Sequence, residues 1–337
     1  MPVVTVGIRV PIARVMSLFA ARGPSAYDTD DPGPPECRPR GDPRRSDIIQ
    51  LGGHVKQLAC LLCLSAPFAL PAIAQNTDEP NSTADAAVIH PRHHTVPRSL
   101  RPHEEVYDFA EHVTVSYNTG WAGYAVTGSA FTYVQGSWIV SAVNCTATPY
   151  TDSSEWVGID GWTSTTVEQI GTDADCHGST PYYYVWYEFY PLNTVVIDSV
   201  SIAAGDKFTA SVTYDGDDDY TVAIANESTG ESFSKKVKFS GADDSGAPLR
   251  NSAEWIMEMD GNRLSDFGVD SFGTDYTGYV NDTATDSSVS DGVIRAYGEA
   301  VQKSITTKNG TSSSKVTSRP SSLATDGASF TVTWKSE

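Results

Sequence analysis

Positive charge is what this sequence has least of. Its 337 residues carry 23 Lys and Arg against 42 Asp and Glu, a formal net charge of −19 at pH 7. Nucleic acid and anionic membrane surfaces are held by basic patches, so the imbalance argues against both as partners. Acid neutralises the excess carboxylates before the few bases repel one another, which predicts tolerance of low pH. Simple solubility accounts for the same excess equally well.

Long apolar runs are scarce too. The main one, LACLLCLSAPFALPAIA at 58–74, is broken by Pro67 and Pro71 and is short for a membrane span. Lys56 ahead of it and Ala72-Ile73-Ala74 before Gln75 give it the form of a cleavable secretory signal. Of the five cysteines, Cys60 and Cys63 form a CxxC inside this run, which makes them signal core and not a redox or zinc pair. A signal belongs at the start of a chain, so translation is expected to begin near 51–56, for instance at Val55 through a non-AUG codon of a bacterial gene. Residues 1–54 then form an upstream extension, disordered over its Pro- and Arg-rich part. Residues 55–74 form the signal peptide, 75–108 a prosegment or linker, and 109–337 the folded domain.

The prosegment carries four of the seven histidines, His90, His93, His94 and His103. HPRHH suggests a metal site, but Pro and Arg neighbours leave nothing to fix the ligands. No metal and no cofactor are expected. Beyond about 110 the pattern becomes short alternating runs separated by Gly, Asp, Asn and Ser. They include FTYVQGSWIV, EWVGID, YYYVWYEFY, KFTASVTY, YTVAIAN, SFSKKVKF, AEWIMEM, VIRAYGEAV and SFTVTW. With almost no amphipathic helix among them, they predict an all-β chain folded as a β-sandwich. DGDDDY at 215–220 resembles part of a calcium loop but lacks its Gly and distal Glu, and a hairpin turn explains it better.

Period-two geometry sorts these runs into faces. In YYYVWYEFY, Tyr184, Trp186, Glu188 and Tyr190 share one side, a mixture of large aromatics and a carboxylate that suits a groove for an extended ligand. Core aromatics with a stray Glu are the simpler alternative. In AEWIMEMD, Glu254, Ile256 and Glu258 share a face. Two carboxylates on one strand suggest a β-sandwich glycosidase. Four strand residues, however, span about 13 Å, too far for either glycosidase geometry. No GxSxG and no HExxH occurs, and Asp244-Ser245-Gly246 occurs once where an aspartic peptidase needs two carboxylates.

Five segments in order then give a specific signal: GWAGYAV (120–126), EWVGIDG (155–161), VEQIGTD (167–173), VWYEFYP (185–191) and AEWIME (253–258). From about 117 to the C-terminus the chain resembles the glutamic peptidases, or eqolisins, and is closest in style to their bacterial members. The resemblance implies a two-sheet antiparallel β-sandwich of the concanavalin-like jelly-roll type. It also implies a secreted, acid-acting, monomeric endopeptidase that hydrolyses proteins and peptides. Gln169 matches the catalytic glutamine and Glu258 the catalytic glutamate. Trp121, Trp156, Asp160, Trp186, Glu188 and Tyr190 match groove residues that contact substrate or orient the dyad. Gly120 stands where the family usually has Asn, and Tyr184 replaces an Asp of fungal members. A secreted glycoside hydrolase and a non-catalytic lectin-like binder remain the alternatives.

Two further expectations concern processing. With the signal removed, Cys145 and Cys176 remain, in loop-like segments flanking the EWVGIDG and VEQIG strands, and an oxidising compartment should join them. The prosegment, through Arg92, Arg98, Arg101 and its histidines, is expected to pair with an acidic groove and hold the enzyme inactive.

Overall fold

The computed structural model describes residues 97–336, apart from 102, 111–112, 243–244, 262, 300–301 and 309–314. The signal-like run, HPRHH, Arg92 and Asp244 lie outside the described residues.

The described chain is almost wholly strand. The first are β1 (His103–Asp108), β2 (Val113–Asn118), β3 (Trp121–Thr127) and β4 (Tyr133–Ile139). Then come β5 (Ser154–Ile159), β6 (Val167–His177), β7 (Thr180–Tyr190) and β8 (Val195–Val196). A meander follows, made of β9 (Lys207–Gly216), β10 (Asp219–Asn226) and β11 (Glu231–Lys238). After it lie β12 (Ser252–Glu258), β13 (Val269–Phe272), β14 (Thr283–Thr285) and β15 (Gly292–Val293). The chain closes with β16 (Gln302–Lys308), β17 (Val316–Pro320) and β18 (Phe330–Trp334).

One layer runs in the order β1–β2–β16–β3–β12–β5–β6–β7–β8, antiparallel throughout except where β16 lies along β2. The other runs β11–β10–β9–β4. Beyond β4, its free edge is shared by β13, which continues to β18 and β17, and by β14, which continues to β15. A short β16–β17 pairing joins the layers at one corner. Strand order jumps repeatedly along the chain, as in jelly-roll sandwiches.

Alternation explains how each strand serves two environments. On β12, Ala253, Trp255 and Met257 belong to the core between the layers, with Tyr124, Val157, Ile170 and Phe189 of the same layer. Trp138, Phe208, Val222, Phe272 and Phe330 meet them from the other layer. Trp255 also donates its Nε1–H to the Gln135 carbonyl across the interface at 2.8 Å, so its polar atom is satisfied. Truncating it to Ala would cost about 3–5 kcal/mol. The opposite face of the first layer forms a second cluster around Trp121, Trp156, Trp186, Ile256 and Ile305.

DGDDDY is the β9–β10 hairpin turn, with Asp217 at φ +52° and Asp218 at φ +64°, the left-handed pair that a two-residue hairpin requires. Cys145 and Cys176 are joined, with Cα atoms 5.2 Å apart. Cys176 lies inside β6, however, and not in a loop. VIRAYGEAV departs from the expected strand. After β15 it turns into a 3-10 helix at Ile294–Tyr297, because Ile294 is drawn into the core while Arg295 donates to the carbonyls of Leu323, Ala324 and Thr325. Residues expected in the prosegment also take part in the sheet, since β1 pairs along β2.

Candidate active site

The outer face of the first layer carries most of the residues singled out by the sequence. Gln169 on β6 stands opposite Gly158 on β5 and Glu188 on β7. Glu258 stands opposite Ser154 on β5 and Trp121 on β3. The two therefore share a face, two strands apart on a diagonal. Trp156, opposite Ile256 and Gly171, stands between them. Gly171 is required here by close approach, because a Cβ on it would lie 2.3 Å from the Glu155 carbonyl and 2.6 Å from the Trp156 Cβ.

Each member of the pair is held. Gln169 donates Nε2–H to Glu188 Oε2 at 2.7 Å, and Thr194 donates its hydroxyl to Glu188 Oε1 at 3.0 Å. Trp156 donates Nε1–H to Glu258 Oε2 at 2.9 Å. Trp121 packs edge-on against Trp156, centroids 4.9 Å apart, and its own Nε1–H has no hydrogen-bond partner among the described residues. Trp186 and the half-buried Tyr190 complete the aromatic wall. Gln169, Glu188, Glu258 and the three tryptophans are all 0% exposed.

Asp160 is placed differently. It sits at φ +74° just after β5, and its carboxylate accepts the backbone N–H groups of Arg250 and Asn251 at 2.7 and 2.9 Å. It ties the approach to β12 onto β5. Burial raises its pKa in spite of those donors. Glu254, on the site face but fully buried, is likewise pushed well above the usual carboxylate range by burial.

An acidic group beside Glu258 escaped the sequence reading. Asp173 stands opposite Ser154 and Tyr184, on the same face as Gln169 and Gly171, and Asp175 follows two residues on. Burial, then Asp175 and Asp260, hold the Asp173 carboxyl well above its ordinary range. Burial, then Glu258, do the same for Asp260. Period-two counting from Gln169 along VEQIGTDAD would have found the first two. Asp260 follows Glu258 by the same step.

Arg101 enters the site from the segment before β1. Its Nη2 lies 2.6 Å from Glu258 Oε1, so both oxygens of that carboxylate have donors. Arg98 lies elsewhere, over the Trp162 ring and bonded to Glu105 and Ser116. Among the described residues, Arg101 is the expected prosegment base whose bond to the site is seen.

Residues 119–320 match the family described as the Peptidase A4 family. Aspergillopepsin-2 of Aspergillus niger is 26% identical over 211 residues, covering 57% of this chain and 74% of its own length. Scytalidopepsin B of Scytalidium lignicola is 33% identical over 150 residues, 44% of this chain and 54% of its own. The crystal structure of scytalido-glutamic peptidase with a transition state analog inhibitor superposes with a TM-score of 0.51 at 21% identity, over 64% of this chain and 98% of that one. At that identity the likeness speaks for the fold, a β-sandwich in both. With the family match spanning more than half of the chain, the protein belongs to the Peptidase A4 family, the eqolisins, and is a glutamic-type endopeptidase.

Proposed function

We propose that the protein is a secreted, acid-acting endopeptidase that cleaves proteins and peptides with Glu258 as general base and Gln169 as oxyanion donor. The observation that carries this reading is the shared face on which Gln169 and Glu258 are each fixed by a partner, Glu188 and Trp156. Glu258 takes a proton from a water molecule, whose oxygen adds to the scissile carbonyl carbon. The carbonyl oxygen becomes an oxyanion and accepts a hydrogen bond from the Gln169 amide. An amide has two N–H donors, so Glu188 can hold one while the other faces the substrate. When the C–N bond breaks, Glu258 returns the proton to the leaving amine.

The amide does not titrate, and that suits acid. A carboxylic acid in the same place would change charge across the working range, whereas Gln169 donates at every pH. The Trp121 indole N–H supplies a further donor for a substrate carbonyl, and Trp186 and Tyr190 supply apolar wall. Secretion rests on the signal-like run at 58–74. Among the described residues no helix is long and apolar enough to cross a membrane.

Incubating the secreted protein with denatured casein and with β-glucans, at about pH 3 and pH 7, tests the reading. Casein cleavage at acid pH that is lost in Gln169→Ala and in Glu258→Ala is expected. Removing one oxyanion donor costs about 10²–10³-fold in rate, and removal of the base should cost at least as much. Glucan cleavage would favour a glycosidase, and binding without turnover of either substrate would favour a lectin-like role.

A further inference from the structure

We infer that the tip of the β6–β7 hairpin is a distal subsite, where Tyr182 and His177 stack on an aromatic side chain of an extended substrate. That side chain lies about four residues from the scissile bond. The inference rests on Gln169 and Glu258 being the dyad. Pairing of β6 with β7 is continuous from Val167 to His177, so side-chain alternation keeps its phase along the whole hairpin. Tyr190, Glu188, Trp186, Tyr184 and Tyr182 therefore share the face that carries Gln169, and His177 ends that face on β6. All but Glu188 on this side of β7 are aromatic. Trp186, Tyr184 and Tyr190 belong to the cluster around the dyad, and Tyr182 carries the same wall beyond it. The Tyr182 and His177 rings lie 4.3 Å apart, centroid to centroid.

The face opens to water toward the tip. Asp173 is 0% exposed and Tyr182 38%, and His177 is exposed as well. Exposed rings scattered singly need no explanation, but this pair prolongs an aromatic wall that starts at the dyad. Tyr150 stands at the same tip, 77% exposed, with its hydroxyl oxygen 3.6 Å from where a Cβ on Gly178 would lie. Its φ of +58° is a backbone state that bulky residues rarely adopt. Two ties hold its turn to the hairpin. They are the Cys145–Cys176 disulfide and the Cys176 N–H donated to the Thr151 carbonyl at 2.8 Å. The subsite is thus built before a ligand arrives, which lowers the ordering cost of binding. Trp186 and Tyr182 are four strand residues apart, about 13 Å, and an extended peptide covers that distance in about four residues. Residues 174–184 lie between VEQIGTD and VWYEFYP, outside the segments that carry the family resemblance. The tip is therefore a place where this chain can differ from its relatives in substrate choice.

The test uses the full chain in a Gln169→Ala background, so that a bound peptide is not cut. The probes are fluorescein-labelled twelve-residue Ser/Ala peptides carrying one Phe, or two Phe spaced by three or by four positions. They are titrated by anisotropy at about pH 3. A pair spaced by four can rest one ring on the Trp186 wall and the other on the tip, in either chain direction. It should bind about tenfold tighter than the single-Phe peptide, a gain within reach of one stacked and partly buried ring. A pair spaced by three turns its rings to opposite sides of an extended chain and should gain less. Tyr182→Ser and His177→Ser, with folding checked by circular dichroism, should bring the four-spaced peptide back toward the single-Phe affinity. Tyr182→Phe should keep the gain. Equal affinity for the single and four-spaced peptides, no binding of either, or a gain that survives both Ser substitutions together would overturn the subsite. Restoring Gln169 separates the two readings. A four-spaced advantage without hydrolysis would leave the subsite standing and remove the peptidase mechanism. Hydrolysis with no such advantage would do the reverse.

Discussion

An amide side chain can turn end for end at little cost unless something fixes it, and Glu188 fixes Gln169. Glu188 is itself held by Thr194, so the amide is oriented through two successive hydrogen bonds. In the proposed mechanism Glu188 is therefore a positioning residue. Glu188→Ala should lower kcat by about 10²-fold, the scale expected for misplacing a reacting group, with KM little changed. A steady-state split between kcat and KM checks this; a loss confined to KM would mean that Glu188 binds substrate instead. Glu254 makes the contrast. It shares the face but is buried beside Gly158 and is held toward its neutral form by burial. Glu254→Gln should keep activity within a few-fold of the parent. That Gln169 and Glu258 share a face was legible through ordered motifs and strand alternation. The acids around Glu258 were not weighed, since nothing in a linear sequence says that Asp173 on β6 and Asp260 just past the end of β12 come together. The positive φ of Asp160 and the Arg250 and Asn251 N–H groups it accepts appear only in three dimensions.

At the scale of elements, β6 carries both the amide and one end of the disulfide. Cys176 lies seven residues beyond Gln169 on that strand and ties it to the Cys145 turn, 31 residues away in sequence. A loop of this size should stabilise the fold by about 3–4 kcal/mol through the entropy of the unfolded chain. Urea unfolding with and without reductant, monitored by tryptophan fluorescence, should show an unfolding free energy lower by about that amount after reduction, with a steeper slope because the reduced unfolded chain is less compact. Strands such as β9 and β10 were readable because they alternate cleanly, whereas β5, β6 and β12 are buried on both faces and were read from their apolar and aromatic content between turn residues. VIRAYGEAV was misread because Ile294 is buried and Val293 half-buried where the chain turns into the 3-10 helix, which an alternation count does not distinguish from a strand. β1 was missed for the opposite reason: it is exposed over most of its length and has no apolar face to announce it.

The whole molecule stores an unusual number of carboxyl groups away from water. Glu155 lies inside the sandwich and is raised to about 7 by burial, although Ser141 and Thr172 donate to it. Glu168, Asp270 and Asp282 are pushed well above their ordinary values by the same cause. An acid whose folded pKa is raised binds its proton more tightly when folded. Its contribution is complete below the unfolded value and is lost as pH rises through the folded one. For Glu155 that window runs from about 4.5 to about 7 and corresponds to about 3 kcal/mol. The protein should therefore be most stable in acid and lose stability toward neutrality. Glu155→Gln, which fixes a neutral group in place, should flatten the fall in Tm between pH 4.5 and 7. An equally steep fall in the variant would remove Glu155 from the account. The net charge of −19 suggested acid tolerance from the sequence. The interior acids give it a second cause, which composition cannot distinguish from surface charge.

The dyad is the centre of this account, and the rate of the Gln169→Ala variant tests it most directly. Initial rates on denatured casein at about pH 3 are to be compared between the purified protein and Gln169→Ala, with matched circular dichroism. A fall of about 10²-fold or more is predicted. A folded variant that cleaves casein within a few-fold of the parent rate would contradict it.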